Sequence, residues 1–74
     1  MEYIFVRYFR KRNVFLDGNP VGNTNNTLRV EKGTHRIDLG EPKNYTPEFQ
    51  EVAVTDTTQI LPLEVAFDYT GGEA

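Results

Sequence analysis

Apolar and polar residues alternate with a period of two along most of the 74-residue chain. Side chains two positions apart lie on the same side of a β-strand, so this alternation is typical of strands with one buried face. No segment keeps the i, i+3, i+4, i+7 spacing of an amphipathic helix. The pattern therefore predicts an all-β fold.

Six segments rich in β-branched and aromatic residues are predicted to be the strands. Two of them are separated only by Glu31, Lys32 and Gly33, which predicts a β-hairpin with Gly33 at a positive φ. Pro62 falls inside the last segment and cannot donate to a strand ladder, so that segment is predicted at a sheet edge or a bulge. The segments are residues 3–9, 13–16, 27–30, 34–39, 49–54 and 59–67.

Alternation also predicts which side chains form the core. The later strands are apolar on one phase and mostly polar on the other, so their inward side is well defined. The predicted inward residues are Val14, Leu16, Leu28, Val30, Ile37, Leu39, Val52, Val54, Leu61, Leu63, Val65 and Phe67.

The first strand differs because both of its phases are apolar, with Tyr3 and Phe5 on one side and Ile4, Val6 and Tyr8 on the other. One side can pack in the domain's own core. The other leaves an apolar row, which favours a contact with another protein or a weak homodimer. The residues predicted for this partner contact are Tyr3, Phe5, Arg7, Tyr8, Arg10 and Arg12.

The stretch LDGNPVGNTNNTL, residues 16–28, is predicted to be only the connection between two strands. Its Asp-Gly pair and its Asn and Thr residues are common in turns. If it were a calcium loop of the EF-hand type starting at Asp17, Val21 and Leu28 would stand where an oxygen ligand and a bidentate carboxylate are needed. We therefore expect neither a metal nor a cofactor.

The composition narrows the function classes further. The chain has no cysteine, which excludes disulfides, thiolate metal sites and cysteine nucleophiles. His35 is the only histidine, and it makes neither a metal site nor a catalytic triad without partners. It is predicted at the edge of the core, bonded to a backbone carbonyl. With no candidate pair of carboxylates for acid–base catalysis either, we expect a protein that is not an enzyme.

The charge is distributed unevenly along the chain. Residues 1–37 carry seven basic and three acidic side chains, and residues 38–74 carry one basic and eight acidic ones. The segment RYFRKR, residues 7–12, mixes cations and aromatic rings as single-stranded nucleic-acid binders do. A sequence pI near 5.0 and the lack of a second basic cluster disfavour nucleic acid. The favoured interpretation is a solvated strand end that faces the acidic half.

No window reaches the roughly 18 apolar residues that a membrane-spanning helix needs, so no membrane insertion is expected. At the N-terminus the basic cluster follows the apolar run, which is the reverse of a signal peptide. The chain as written is expected in the cytoplasm, or in the cell envelope if it is part of a longer exported protein.

Four consecutive elements, VFLDG, GNTNNTL, EKGTHRIDL and NYTPEFQEVAV, stand in an order that resembles the PEGA family of small β-domains. The resemblance covers residues 13–67. Two positions depart from the family pattern: RKRN replaces Pro-Glu-Gly-Ala before Val14, and Asn25 replaces the proline of a Thr-Pro pair. The matching residues are Asp17, Gly18, Gly22, Thr24, Leu28, Gly33, His35, Ile37, Leu39, Tyr45 and Pro47.

The resemblance implies an immunoglobulin- or prealbumin-like β-sandwich of about six or seven short antiparallel strands. Residues 1–70 would form one PEGA-like domain, and residues 71–74 are expected to be a flexible tail because they end the chain. The resemblance also implies a non-catalytic module of bacterial and archaeal proteins, many of them surface-layer or envelope proteins, with no shared ligand site.

The predicted function is a structural or adhesive role, exerted through a protein partner or neighbouring domains of a parent chain. The alternative is a carbohydrate- or anion-binding module. It would use the basic segment 7–12 and the aromatic residues Tyr8, Phe15, Tyr45 and Tyr69, which would then be exposed.

Overall fold

The structure is a computed structural model that describes residues 1–70. The predicted flexible tail, residues 71–74, lies outside the described residues. Within residues 1–70 all regular structure is β, in nine short strands, so the all-β prediction is confirmed with more strands than expected. They are β1 (Glu2–Arg7), β2 (Asn13–Leu16), β3 (Asn19–Asn23), β4 (Thr27–Val30), β5 (Gly33–Asp38), β6 (Tyr45–Thr46), β7 (Gln50–Val54), β8 (Leu63–Ala66) and β9 (Asp68–Tyr69).

The strands form two main sheets in the manner of a small β-sandwich. The three-stranded sheet has the order β4-β1-β8, and the four-stranded sheet has the order β3-β2-β5-β7. β6 and β9 form a separate two-stranded ribbon. Pairing is antiparallel except between β1 and β8, which run parallel, so the three-stranded sheet is mixed.

One hydrophobic core is shared by the two sheets, and it uses most of the predicted inward residues. On β1 the structure separates the two apolar phases. Ile4 and Val6 are fully buried, whereas Tyr3 and Phe5 are half-buried on the opposite side. The core residues are Ile4, Val6, Tyr8, Val14, Val30, Ile37, Leu39, Tyr45, Val54, Val65 and Phe67, with Leu16, Leu28, Val52 and Leu63 packed against them.

The predicted hairpin of residues 27–30 and 34–39 is wrong. β4 pairs with β1 in the three-stranded sheet, while β5 pairs with β2 and β7 in the four-stranded sheet. Gly33 has the predicted positive φ, 134°, but it opens β5 where the chain crosses between sheets. A short turn signal specifies a change of direction and leaves open which strands pair afterwards.

Residues 16–28 were predicted to be only a connection, but part of this stretch forms β3, which makes a hairpin with β2. Asp17 and Gly18 join β2 to β3 with φ values of 52° and 88°, as a two-residue type I′ turn requires. β3 contains Pro20 and lies at the edge of its sheet, where a missing donor is tolerated. Its Asn, Pro and Gly content resembles a loop, which is why the alternation did not reveal it.

The last predicted strand, residues 59–67, is shorter than expected. Leu61, predicted in the core, is 74% exposed and precedes the strand. Pro62 also lies before β8, so its missing N–H donor does not interrupt the strand pairing. β8 is an edge strand of its sheet, as predicted. The side-chain amide of Gln50 donates to the Ala66 carbonyl at 2.6 Å and links β7 to β8.

The connection between β1 and β2 is held by side chains that precede β4. Thr24 is buried, and its hydroxyl donates to the Arg10 carbonyl at 2.8 Å and accepts from the Arg12 amide at 2.9 Å. The side chain of Asn25 bonds to both backbone polar groups of Tyr8. Asn25 has a φ of 63°, which proline cannot adopt, so this turn requires a residue other than proline.

Candidate functional site

The outward side of the three-stranded sheet carries three residues of the predicted partner contact, Tyr3, Phe5 and Arg7. Tyr3 and Phe5 are half-buried on this side and Arg7 is exposed. Residues in register share a face, so Thr27 of β4 and Glu64 of β8 flank Phe5. The face therefore has an aromatic centre between polar neighbours.

Residues 58–61 form a tight turn beside this face. Thr58 and Leu61 exchange two backbone hydrogen bonds of 3.1 Å, and the Leu61 amide also donates to the Thr58 hydroxyl at 3.0 Å. Gln59 and Ile60 form the tip. The side chains of Ile60 and Leu61 are nevertheless apolar, and these residues are 88% and 74% exposed.

Thr57 fixes the base of this turn to β1. Its hydroxyl accepts from the Tyr3 amide at 2.7 Å and donates to a carboxylate oxygen of Glu2 at 2.6 Å. The Thr57 amide donates to the same oxygen at 2.8 Å. The hydroxyl bond, and after it the amide bond, lower the pKa of Glu2 because they stabilise the carboxylate. The turn is thus held in a fixed position at the sheet.

The turn and the sheet together form the turn patch, defined here as Phe5, Ile60, Leu61 and Pro62. An open depression of about 390 Å³ lies between them. Turn tips are usually built from Gly, Pro, Asn, Asp or Ser, so Ile60 and Leu61 do not serve the turn conformation. Adjacent exposed apolar side chains mark interaction sites, and we take the turn patch as the candidate site.

Arg7 and Glu64 form an ion pair at the border of the turn patch. Their side chains are 62% and 53% exposed, so the pair contributes little to stability. It supplies the border with one positive and one negative group close together.

Three residues of the predicted partner contact lie elsewhere, and one of them, Arg10, is exposed beyond the end of β1 beside Phe9 and Tyr69. Tyr8 was predicted at the contact surface, but the structure buries it in the core at 4% exposure. Arg12 is partly buried, and its guanidinium donates to the Asn44 side chain at 2.8 Å. It also donates, at 2.9–3.2 Å, to the carbonyls of Leu39, Gly40 and Pro42. Arg12 is therefore an internal anchor for the loop of residues 39–44.

Tyr45 holds the same loop from the core side. Its hydroxyl accepts from the Leu39 amide at 3.2 Å and donates to the Gly40 carbonyl at 3.0 Å. Arg12 packs over the Tyr45 ring at 5.2 Å from its centroid. The ring is 3% exposed.

The aromatic set expected for carbohydrate or anion binding is therefore mostly internal. Tyr8 and Tyr45 are buried, and Phe15 is half-buried. Tyr69 is exposed at 44%. The prediction that Tyr8 and Tyr45 are exposed is wrong, because both rings contribute to the core.

A different exposed aromatic pair lies just beyond β1. Phe9 is 58% exposed, and its ring centroid is 4.7 Å from that of Tyr69. The Arg10 guanidinium lies 4.4 Å from the Phe9 centroid and 5.7 Å from the Tyr69 centroid. Sequence reasoning did not pair these residues because they are 60 positions apart and meet only through the short strand β9.

His35 joins the turn after β2 to the turn after β4. Its Nδ1 is 2.8 Å from a carboxylate oxygen of Asp17, and its Nε2 is 2.7 Å from the Glu31 carbonyl. The predicted bond to a backbone carbonyl is confirmed. Both nitrogens face acceptors, so both contacts are hydrogen bonds only when the ring is protonated.

The charges around His35 agree with this geometry. The hydrogen bond to Asp17 raises the pKa of His35, and partial burial opposes it less strongly. The same bond lowers the pKa of Asp17, which also accepts from the Arg36 amide at 3.0 Å. The arrangement links two turns.

Within residues 1–70, no group of three or more His, Asp or Glu side chains is placed to hold a metal ion. The same part of the chain contains no helix of the length and apolarity needed to cross a membrane.

Sequence reasoning missed Ile60 and Leu61 because the alternation of the last strand continues through them. Leu61 shares its phase with Leu63 and Val65, which are inward. Pro62 was the evidence against a strand at residues 59–61. It has no backbone N–H donor, so the strand is not expected to extend through it to those residues.

Comparison with protein families gives a match over most of the domain. The family model described as PEGA domain matches residues 11–66, which are 56 of the 74 residues. β1 lies before the matched range, and the turn of residues 58–61 lies inside it. Comparisons with curated proteins and with solved structures give no match.

Proposed function

Because this chain belongs to the PEGA domain family, we propose that it is a non-catalytic structural or adhesive module that contacts another protein surface through the turn patch. The observation that carries the proposal is the exposure of Ile60 and Leu61 on a turn whose backbone is already bonded. Burying these side chains against a partner removes apolar area from water and is favourable.

The chemistry of the turn patch favours a protein over a sugar. Ile60 and Leu61 are branched aliphatic side chains that line the same depression as the Phe5 ring, and the core of a protein interface is likewise apolar with aromatic residues. The polar groups stand at the border, where Arg7 and Glu64 are accessible to solvent. This arrangement of an apolar centre and a polar rim is typical of protein contacts.

The domain's size favours a role within a larger assembly. A standard interface covers about 800 Å² on each partner, which is roughly one sixth of the 4614 Å² surface of this domain. We propose that the partner surface belongs to another protein molecule or to a neighbouring domain of a longer, envelope-associated polypeptide.

The test is site-specific photo-crosslinking in the producing cell, with a photoreactive amino acid at position 60. A matched control carries it at position 21, since Val21 is also an exposed apolar residue, at 39%, but lies on β3. We expect a crosslink from position 60 whose second peptide is identified by mass spectrometry. Equal crosslinking from positions 60 and 21 would overturn the proposal.

A second candidate function, carbohydrate or anion binding, is favoured by one observation. Phe9 and Tyr69 are adjacent exposed rings with the Arg10 guanidinium over them. An NMR titration of the protein with neutral and sulfated oligosaccharides tests it. Saturable shifts at these residues, lost in Phe9→Ala, would support binding there, and flat titrations would remove this candidate.

A further inference from the structure

We propose that a second copy of this chain occupies the turn patch, so that two chains associate about a twofold axis with the turn of each seated on the face of the other. This inference rests on the proposed contact function of the patch and names its occupant. It does not follow from the family, because β1, which forms the centre of the face, lies outside the matched range.

The first argument is that the turn patch contains both a projecting group of side chains and a depression that could receive such a group. The exposed side chains of Ile60 and Leu61 project from the turn, and the open depression lies beside them over Phe5. A twofold axis between these features places the projection of each chain in the depression of the other. A twofold contact requires such a self-complementary surface, with the same residues used twice.

The second argument is that the border charges are self-complementary as well. Arg7 and Glu64 both line the depression and lie on neighbouring strands. Rotation about the same axis brings Arg7 of one copy towards Glu64 of the other, and the reverse pair follows by symmetry. The pair made within each chain is exposed and weak, so exchanging the two intrachain pairs of a dimer for two pairs between chains costs little.

The third argument concerns the alternative surfaces for self-association. The edge strand β3 carries Pro20, which interrupts a ladder between chains. The exposed Phe49 is already covered by the Arg36 guanidinium at 3.9 Å from its centroid. Phe9, which is less exposed than Ile60 or Leu61, already has the Arg10 guanidinium 4.4 Å from its centroid. Within residues 1–70, Ile60 and Leu61 are the two most exposed large apolar residues.

The test uses two charge-reversal variants of the full chain, Arg7→Glu and Glu64→Arg, studied alone and mixed. Each variant alone places like charges opposite each other at both symmetric positions, so we expect association at least tenfold weaker than that of the parent. In an equimolar mixture, the introduced glutamate of one variant meets the introduced arginine of the other, and the remaining native pair meets as well. Sedimentation velocity should then show a heterodimer close to the strength of the parent dimer.

A second measurement separates the patch from the rest of the surface. Ile60→Ser combined with Leu61→Ser should leave a monomer at concentrations where the parent dimerises, and Val21→Ser should behave as the parent. Folding of every variant is checked by its amide NMR spectrum, so that loss of association is not confused with loss of structure.

The result that overturns the inference is a parent chain that stays monomeric up to millimolar concentration, or a mixture of charge variants that fails to recover association. If such a monomer still crosslinks from position 60 to a peptide of a different protein, the second copy is excluded and the proposed function stands. If crosslinking from position 60 also equals that from position 21, both the proposed function and the inference of a second copy are wrong.

Discussion

The loop of residues 39–44 and the turn of residues 58–61 are both irregular, but they use their groups in opposite ways. In the loop, backbone groups are bonded by the guanidinium of Arg12 and the hydroxyl of Tyr45, which come from other elements. In the turn, the backbone bonds within itself, and the side chains of Ile60 and Leu61 are left in water.

The loop of residues 39–44 therefore contributes to the stability of the fold, whereas the side chains of the turn of residues 58–61 are available for a contact. A loop that depends on distant side chains cannot change without a loss of stability. A turn that satisfies its own backbone places almost no requirement on the side chains at its tip. Substitutions that remove the bonds of the loop should therefore lower the free energy of unfolding. Substitutions of the side chains of the turn should change association alone.

The largest effect is expected for Arg12→Ala, which removes the donor of three backbone carbonyls and of the Asn44 side chain. We expect the free energy of unfolding to fall by about 2–4 kcal/mol, because partly buried acceptors lose their partner. Urea denaturation measures it. Arg10→Ala is the control, since Arg10 is exposed, and should stay within about 0.5 kcal/mol of the parent. Equal losses in the two variants would contradict the role of Arg12 as an anchor.

Tyr45→Phe tests the same loop from the core side with the ring kept in place. Loss of the hydroxyl leaves the Leu39 amide and the Gly40 carbonyl without their partner, at an expected cost of about 1–2 kcal/mol. Hydrogen exchange of the Leu39 amide should also become faster. Tyr69→Phe, at an exposed ring, should change neither quantity, and unchanged exchange at Leu39 in Tyr45→Phe would show that the hydroxyl does not hold the loop.

The turn after β2 and the turn after β4 are joined by His35, whose charge depends on pH. Its pKa is raised in the folded state, so its contribution to stability is complete below the unfolded pKa of about 6.5 and is lost as pH rises through the folded pKa. We expect the free energy of unfolding to decline from pH 6 towards pH 9.

The same pair predicts a second decline in acid. The pKa of Asp17 is lowered, so its contribution is present above the unfolded pKa of about 3.8 and is lost as pH falls through the folded value. His35→Gln should flatten the decline between pH 6 and pH 9 relative to the parent. A parent curve that is flat across that range, or identical in His35→Gln, would show that the two turns are not linked by the ring.

The smallest change in stability is expected for Ile60→Ser combined with Leu61→Ser. These residues are mostly exposed, so the free energy of unfolding should stay within about 0.5 kcal/mol of the parent. Thermal unfolding at low protein concentration avoids any contribution from association. A loss of about 2 kcal/mol or more, as for truncation of a core residue, would mean that the turn packs into the domain and would remove the contrast with the loop.

Local patterns in the sequence determined the strand phases and one turn. Ile37, Val54 and Val65 were predicted inward and are buried, because side-chain direction alternates in every strand whatever its neighbours are. Asp17 and Gly18 were predicted to turn because both tolerate a positive φ, and both have one. The ordered motifs of the family likewise lie in the sequence itself, over nearly the same residues as the family match.

The tertiary structure alone decided strand pairing and exposure. β4 and β5 are close in sequence but belong to different sheets, and β1 pairs with β8 across more than 50 residues. Arg12 was predicted at a contact surface, and only the position of the loop it binds shows that it is an anchor. Leu61 has the phase of a core residue but is exposed. These outcomes depend on free energies of contact between distant segments, and a period-two pattern holds no information about which distant segments meet.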